Sequence, residues 1–247
     1  MFEEGHKSGP GVLKGRNTYR GIFKNGQSHF FGVEYSENGD VYEGCFYEGK
    51  REGTGRFETS DGSRYLGGFK NSLKSGYGKL EQGKMLYVGG FKENKKEKLG
   101  FLRESNRDTY FGEFFDDNKE GYGYEVTSHD EYKGEWAYGL RHGIGILKRK
   151  NSEFFSVKYI EGRRVDDNEY YEMYDGAEDM ELDDDYEVFH KMFNRTKIDN
   201  FFGVSQTRFD DMEIEIKQKR GDLEVELGYL PLDLVAKSSN LEEKIKF

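Results

Sequence analysis

The 247-residue sequence has one cysteine, two prolines and no long apolar run. A single cysteine excludes an internal disulfide framework and sets a reduced, cytoplasmic protein as the expectation. No stretch approaches the roughly 20 apolar residues of a membrane span, and the opening MFEEGHKSGP carries no apolar signal core. Hydrophobic residues are scarce, at 34% against 35% charged, which argues against a compact two-layer fold rich in Val, Ile and Leu. Aromatic residues, which a disordered chain would also lack, reach 16% and stand beside 33 glycines. The net charge of −10 is uneven, +3 over residues 1–165 and −13 over 166–247, and 29 of the glycines lie in the first part. The chain therefore divides into a glycine-rich region, 1–165, an acidic linker, 166–182, and a C-terminal region, 183–247.

The first region is repetitive. Phe2, Phe23, Phe46, Phe69, Phe91, Phe114, Trp136 and Tyr159 recur every 21 to 23 residues. From Phe23 onward a second ring stands four residues earlier, at Tyr19, Tyr42, Tyr65, Tyr87, Tyr110, Tyr132 and Phe155, with glycine between the two in every unit but the last. Another glycine follows nine residues after the second ring, as at Gly32, Gly55, Gly78, Gly100, Gly123 and Gly145. Strand side chains alternate faces, so Tyr42, Gly44 and Phe46 share one face, and bare backbone leaves a hollow that a ring of the adjacent strand fills. Half-burying two rings returns roughly 4–6 kcal/mol, of which four glycines take back about 2–4 kcal/mol, so a unit needs neighbours to be stable. Gly, Asn or Asp three residues after most second rings predicts a turn with positive φ there, Ser72 being the exception in residue type.

These units, best seen in YEGCFYEGKREGTGRF and YKGEWAYGLRHGIGIL, resemble the MORN (membrane occupation and recognition nexus) repeat, YxGxWxxGxxxGxG, over about residues 2–162. Lys98 and Phe30 stand where the pattern has glycine. The resemblance implies a mainly β fold, a single-layer twisted antiparallel ribbon of about seven hairpins. It also implies a scaffold in cytoskeletal or membrane-junction complexes.

On the face away from the rings, early units carry Thr54 and Arg56, as solvent would ask. Later units carry Tyr77, Leu99, Phe101, Tyr122, Tyr124 and Ile144, with Leu66, Val88 and Phe111 on neighbouring strands. A one-layer sheet cannot cover such a strip itself, so these residues are the candidate protein-binding surface. A protein partner, a second copy of the chain or the chain's own C-terminal region could occupy it. The lysines of KENKKEK, Lys92, Lys95, Lys96 and Lys98, are the candidate contact for anionic phospholipid, the alternative function.

In the C-terminal region, DDDYEVFHKMFNR and NLEEKIKF read as short helices. MEIEIKQKRGDLEVELGYL, alternating apolar and charged about Gly221-Asp222, reads as a β-hairpin, giving a small α+β region. No catalytic, metal or cofactor site is expected. The five histidines are scattered, Cys45 has no CxxC partner, no GxGxxG opens a helix and nothing positions a nucleophile. The near-neutral ribbon and acidic tail also argue against nucleic acid.

Overall fold

A computed structural model describes residues 2–3, 5–166 and 195–226. The acidic linker 166–182 and the two short helices expected around 183–195 and 240–247 lie, wholly or nearly so, outside the described residues. A short two-stranded sheet, β1 (Phe2–Glu3) and β2 (His6–Lys7), precedes a fifteen-stranded sheet whose strands follow chain order. These are β3 (Gly9–Lys14), β4 (Thr18–Lys24), β5 (Gln27–Tyr35), β6 (Val41–Tyr47), β7 (Lys50–Glu58), β8 (Arg64–Lys70), β9 (Leu73–Gln82) and β10 (Met85–Lys92), then β11 (Lys95–Arg103), β12 (Thr109–Phe115), β13 (Asn118–Val126), β14 (Asp130–Ala137), β15 (Leu140–Arg149), β16 (Phe155–Ile160) and β17 (Arg163–Val165). One helix, α1 (Arg195–Glu226), follows among the described residues. They fall into two compact units, Met1–Gly76 with the chain from Arg208, and Tyr77–Thr207.

Seven hairpins end in two-residue turns with φ > 0 at both positions, from Asn25-Gly26 to Glu161-Gly162. This geometry matches the twist of the flanking strands. Ser72, the exception to the turn pattern, adopts it too, at φ 67°. Turn amides stitch hairpins to their predecessors: Gly49 donates to the Ser28 carbonyl and Gly139 to that of Lys119, each at 2.9 Å.

The register sets glycine opposite glycine on strand after strand. In the first unit the row runs Gly11, Gly21, Gly32, Gly44, Gly55, Gly67. In the second it runs Gly89, Gly100, Gly112, Gly123, Gly134, Gly145 and ends at Val157. Each unit's first ring lies flat over this row. A Cβ on Gly55 would come within 2.5 Å of the Tyr42 ring, and one on Gly100 within 2.5 Å of the Tyr87 hydroxyl. The covering ring comes from the glycine's own strand or, as with Tyr42 over Gly55, from the adjacent strand of the hairpin, as the pattern predicts. The second ring stands edge-on between successive tyrosines: Phe46 lies 5.1 Å from Tyr42 and 5.0 Å from Tyr19, Phe114 5.2 Å from Tyr110 and 5.1 Å from Tyr87. This T-shaped ladder is the core, and Tyr42, Tyr87 and Tyr132 are fully buried.

Just past the first glycine five hairpins slip register, for example between Gly44 and Phe46. On the partner strand the slip is absorbed at a residue with φ > 0, Gly53 in this hairpin, but Phe30 and Lys98 in others. The slip leaves a carbonyl to be satisfied, and the tyrosine hydroxyl donates to it: Tyr42 to Cys45, Tyr65 to Gly68 and Tyr87 to Gly90, all at 2.9 Å. This is why the first ring is tyrosine, whereas the second, which only packs, is usually phenylalanine.

The hairpin expected over residues 212–230 is absent; its described part, to Glu226, lies within α1. The helix buries Ser205, Phe209, Ile216 and Leu223 and half-buries Phe201, Met212 and Lys219, an average repeat near 3.7 residues. Glu213–Lys217 and Glu215–Lys219 pairs, with the acid N-terminal, add helical preference. The strand-like alternation costs the helix an outward Ile214, 52% exposed.

Candidate partner-binding site

The face opposite the rings carries the sequence-predicted surface, and cross-strand register sorts it into two rows. One runs Val88, Phe101, Phe111, Tyr124, Lys133, Ile146. It is largely covered by the chain itself. Phe201 of α1 packs edge-on against Phe111 at 4.9 Å, and the Tyr77 hydroxyl is hydrogen-bonded to Ser205. Phe154 lies over the Lys133 ammonium at 5.0 Å, and burial holds that lysine below its ordinary pKa. Tyr124, half-buried, donates to Glu131 at 2.7 Å; burial, then that carboxylate, push its phenol well above the ordinary range. The other row is more open: Leu99 lies opposite Glu113 and Tyr122 opposite Glu135, and Leu99 and Tyr122 are 43% and 38% exposed. Ile144 packs against Ile160 and Val165. The strip is thus a buried row under a resident helix, beside an exposed row of apolar and acidic residues.

In the first unit the same face is charged, but it is not left to solvent. Glu43, buried, pairs with Arg56 and meets Arg220 of α1 at 3.5 Å, while Lys219 donates to Cys45 Sγ at 3.3 Å.

The sequence reading missed a row of cations on the ring face. Five residues after the second ring stand Arg51, Lys74, Lys96, Lys119, Arg141 and Arg164. Arg51 lies 4.9 Å over Tyr42, Lys74 5.3 Å over Tyr65, Lys119 5.0 Å over Tyr110 and Arg141 4.8 Å over Tyr132. Carboxylates hold them: Arg51 meets Glu34 at 2.9 Å, and Arg141 meets Glu125 at 2.8 Å and Asp130 at 2.7 Å. The spacing was present in the sequence and would have revealed the row. Of the candidate lipid lysines, Lys95 pairs with Asp116, Lys96 lies 3.6 Å from Asp117, and Lys92 and Lys98 are exposed. Among the described residues, no group of three His, Cys, Asp or Glu is arranged to hold a metal, and no helix is long and apolar enough to cross a membrane.

Five stretches, residues 19–41, 42–64, 65–83, 110–126 and 132–153, match the MORN repeat family. The chain is a MORN-repeat protein. The β10–β11 hairpin lies outside the matched stretches, yet it builds the MORN geometry from Tyr87, Gly89 and Phe91, with Lys98 in the φ > 0 position. No curated protein matches the chain. Among solved structures, it is similar to the TCP domain of SAS-4 (dCPAP) of Drosophila melanogaster in complex with a proline-rich motif of Ana2 (dSTIL). That likeness has 13% identity and a TM-score of 0.35 over 57% of this chain and 76% of that one, too distant to inform function. MORN repeats mark a protein-interaction or membrane-associated repeat protein.

Proposed function

We propose that this MORN chain is a non-catalytic scaffold whose face opposite the rings receives an amphipathic helical segment of a protein partner. The supporting observation is α1: Phe201 and Ser205 seat on Phe111 and Tyr77, so this face already takes a helix. Leu99 and Tyr122, exposed in the same unit and set among Glu113 and Glu135, suit an apolar helix edge flanked by basic side chains. A cytoskeletal or membrane-associated complex is the expected setting, and a second copy of the chain is the other candidate occupant. Proximity labelling with the full chain, compared with a Leu99→Ser/Tyr122→Ser variant, tests the reading. Loss of a labelled partner with unchanged circular dichroism is expected; unchanged labelling overturns it. Pairing of Lys95 and Lys96 with acids weighs against the lipid alternative, which salt-sensitive flotation with anionic vesicles would restore.

A further inference from the structure

Cys45, the chain's one cysteine, points from β6 into a cavity of about 650 Å3 lined by Ile22, Phe31, Phe46, Tyr47 and Leu223. Lys219, 174 residues later on α1, also lines it and donates to Cys45 Sγ at 3.3 Å. Glu215, one helical turn before, accepts from the same ammonium at 2.6 Å. A carboxylate, an amine and a thiol therefore stand in series beside an open, mostly apolar cavity wide enough for a small oxidant. No second thiol exists in the chain to compete for an oxidised sulfur.

We propose that Cys45 and Lys219 are a modification site at which hydrogen peroxide forms a reversible sulfur–nitrogen cross-link between β6 and α1. In the first step the Cys45 sulfur attacks one peroxide oxygen. The O–O bond breaks, an S–O bond forms, and the released hydroxide takes the thiol proton and leaves as water. Sulfur is oxidised by two electrons and peroxide is reduced. In the second step Lys219 passes a proton to the Glu215 carboxylate, and its amine attacks the sulfenic sulfur. An N–S bond forms and the S–O bond breaks, the hydroxide leaving as a second water with a proton from nitrogen. Condensation of a sulfenic acid with a nearby nitrogen is established thiol chemistry. A thiol reductant attacks the cross-linked sulfur, frees the amine and, with a second thiol, restores Cys45. The cross-link would hold α1 on the ribbon; only its effect on partner access rests on the proposed function above.

The experiment treats the full chain with hydrogen peroxide, blocks remaining thiols by alkylation, digests it and reads peptides by mass spectrometry. The expected product joins the Cys45 and Lys219 peptides, about 2 Da lighter than their sum, and disappears on reduction. Lys219→Arg, which keeps the cation but removes the primary amine, should abolish it. Glu215→Gln should slow its formation at least about tenfold. Sulfinic acid at Cys45, or a disulfide between two copies, with no Cys45–Lys219 peptide overturns the proposal. So does cross-linking of Cys45 to other lysines at equal yield. The readout needs no partner, so a failed partner assay leaves it untouched.

Discussion

The two faces of this sheet solve burial in different ways. The ring face is closed by what every hairpin repeats: a tyrosine flat over glycine, a second ring edge-on and, in most units, a cation above. It needs nothing from elsewhere in the chain. The opposite face differs from unit to unit, charged around Glu43 and aromatic around Phe111, and is completed by a helix ninety or more residues further along the chain. The repeated face carries stability, while the varied face is where one array can differ from another in what it holds.

Five changes would break or sharpen that contrast. The largest effect is expected from Gly55→Val, which drives a side chain into the Tyr42 ring that the facing strand contributes. A loss of about 4 kcal/mol or more in urea unfolding is expected, and a loss under about 1 kcal/mol would refute the ring-over-glycine packing. Tyr110→Phe keeps the ring but strips the donor from the Glu113 carbonyl, and should cost about 1–3 kcal/mol by the same assay. On the other face, Phe201→Ala should raise amide exchange in α1, by about 1 kcal/mol of local protection, while the hairpin amides keep theirs. Lys98→Gly removes a positive-φ lysine and should raise stability by about 1 kcal/mol. The smallest effect is acid sensitivity. Arg141 holds the Asp130 carboxyl below its ordinary range, so the stability this gives is present at neutral pH and lost as pH falls below about 4 through the lowered value. Asp130→Asn should flatten that part of the pH–stability curve.

The repeat face was legible because its information is local: ring, glycine and turn recur at fixed spacing, and strand alternation puts them together. The tyrosine-to-phenylalanine order and the cation five residues beyond Phe46 or Phe114 were equally local, but their meaning needed the register slip that exposes a carbonyl and the resulting stack. The opposite face was read correctly as apolar at Leu99 and Tyr122. Its covering by the chain's own C-terminal region was one of three occupants the sequence offered; which one covers it was not legible, because the contact between Phe201 and Phe111 joins distant segments. The helix was misread for a specific reason. Met212, Ile214 and Ile216 satisfy a two-residue period, whereas Phe209, Met212, Ile216 and Leu223 satisfy a helical one, and only the second set faces the sheet. The Glu213–Lys217 and Glu215–Lys219 spacings were the signal that could have separated the two.

The edge-on contacts of each tyrosine run to the second rings of its own and the following hairpin, so the aromatic stack is built from neighbour to neighbour. Whole hairpins can therefore be gained or lost without redesigning the rest, each altering the span by two strand spacings, roughly 9.5 Å. Under the proposed function, such an array would act as a ruler, with binding positions set along it in equal steps.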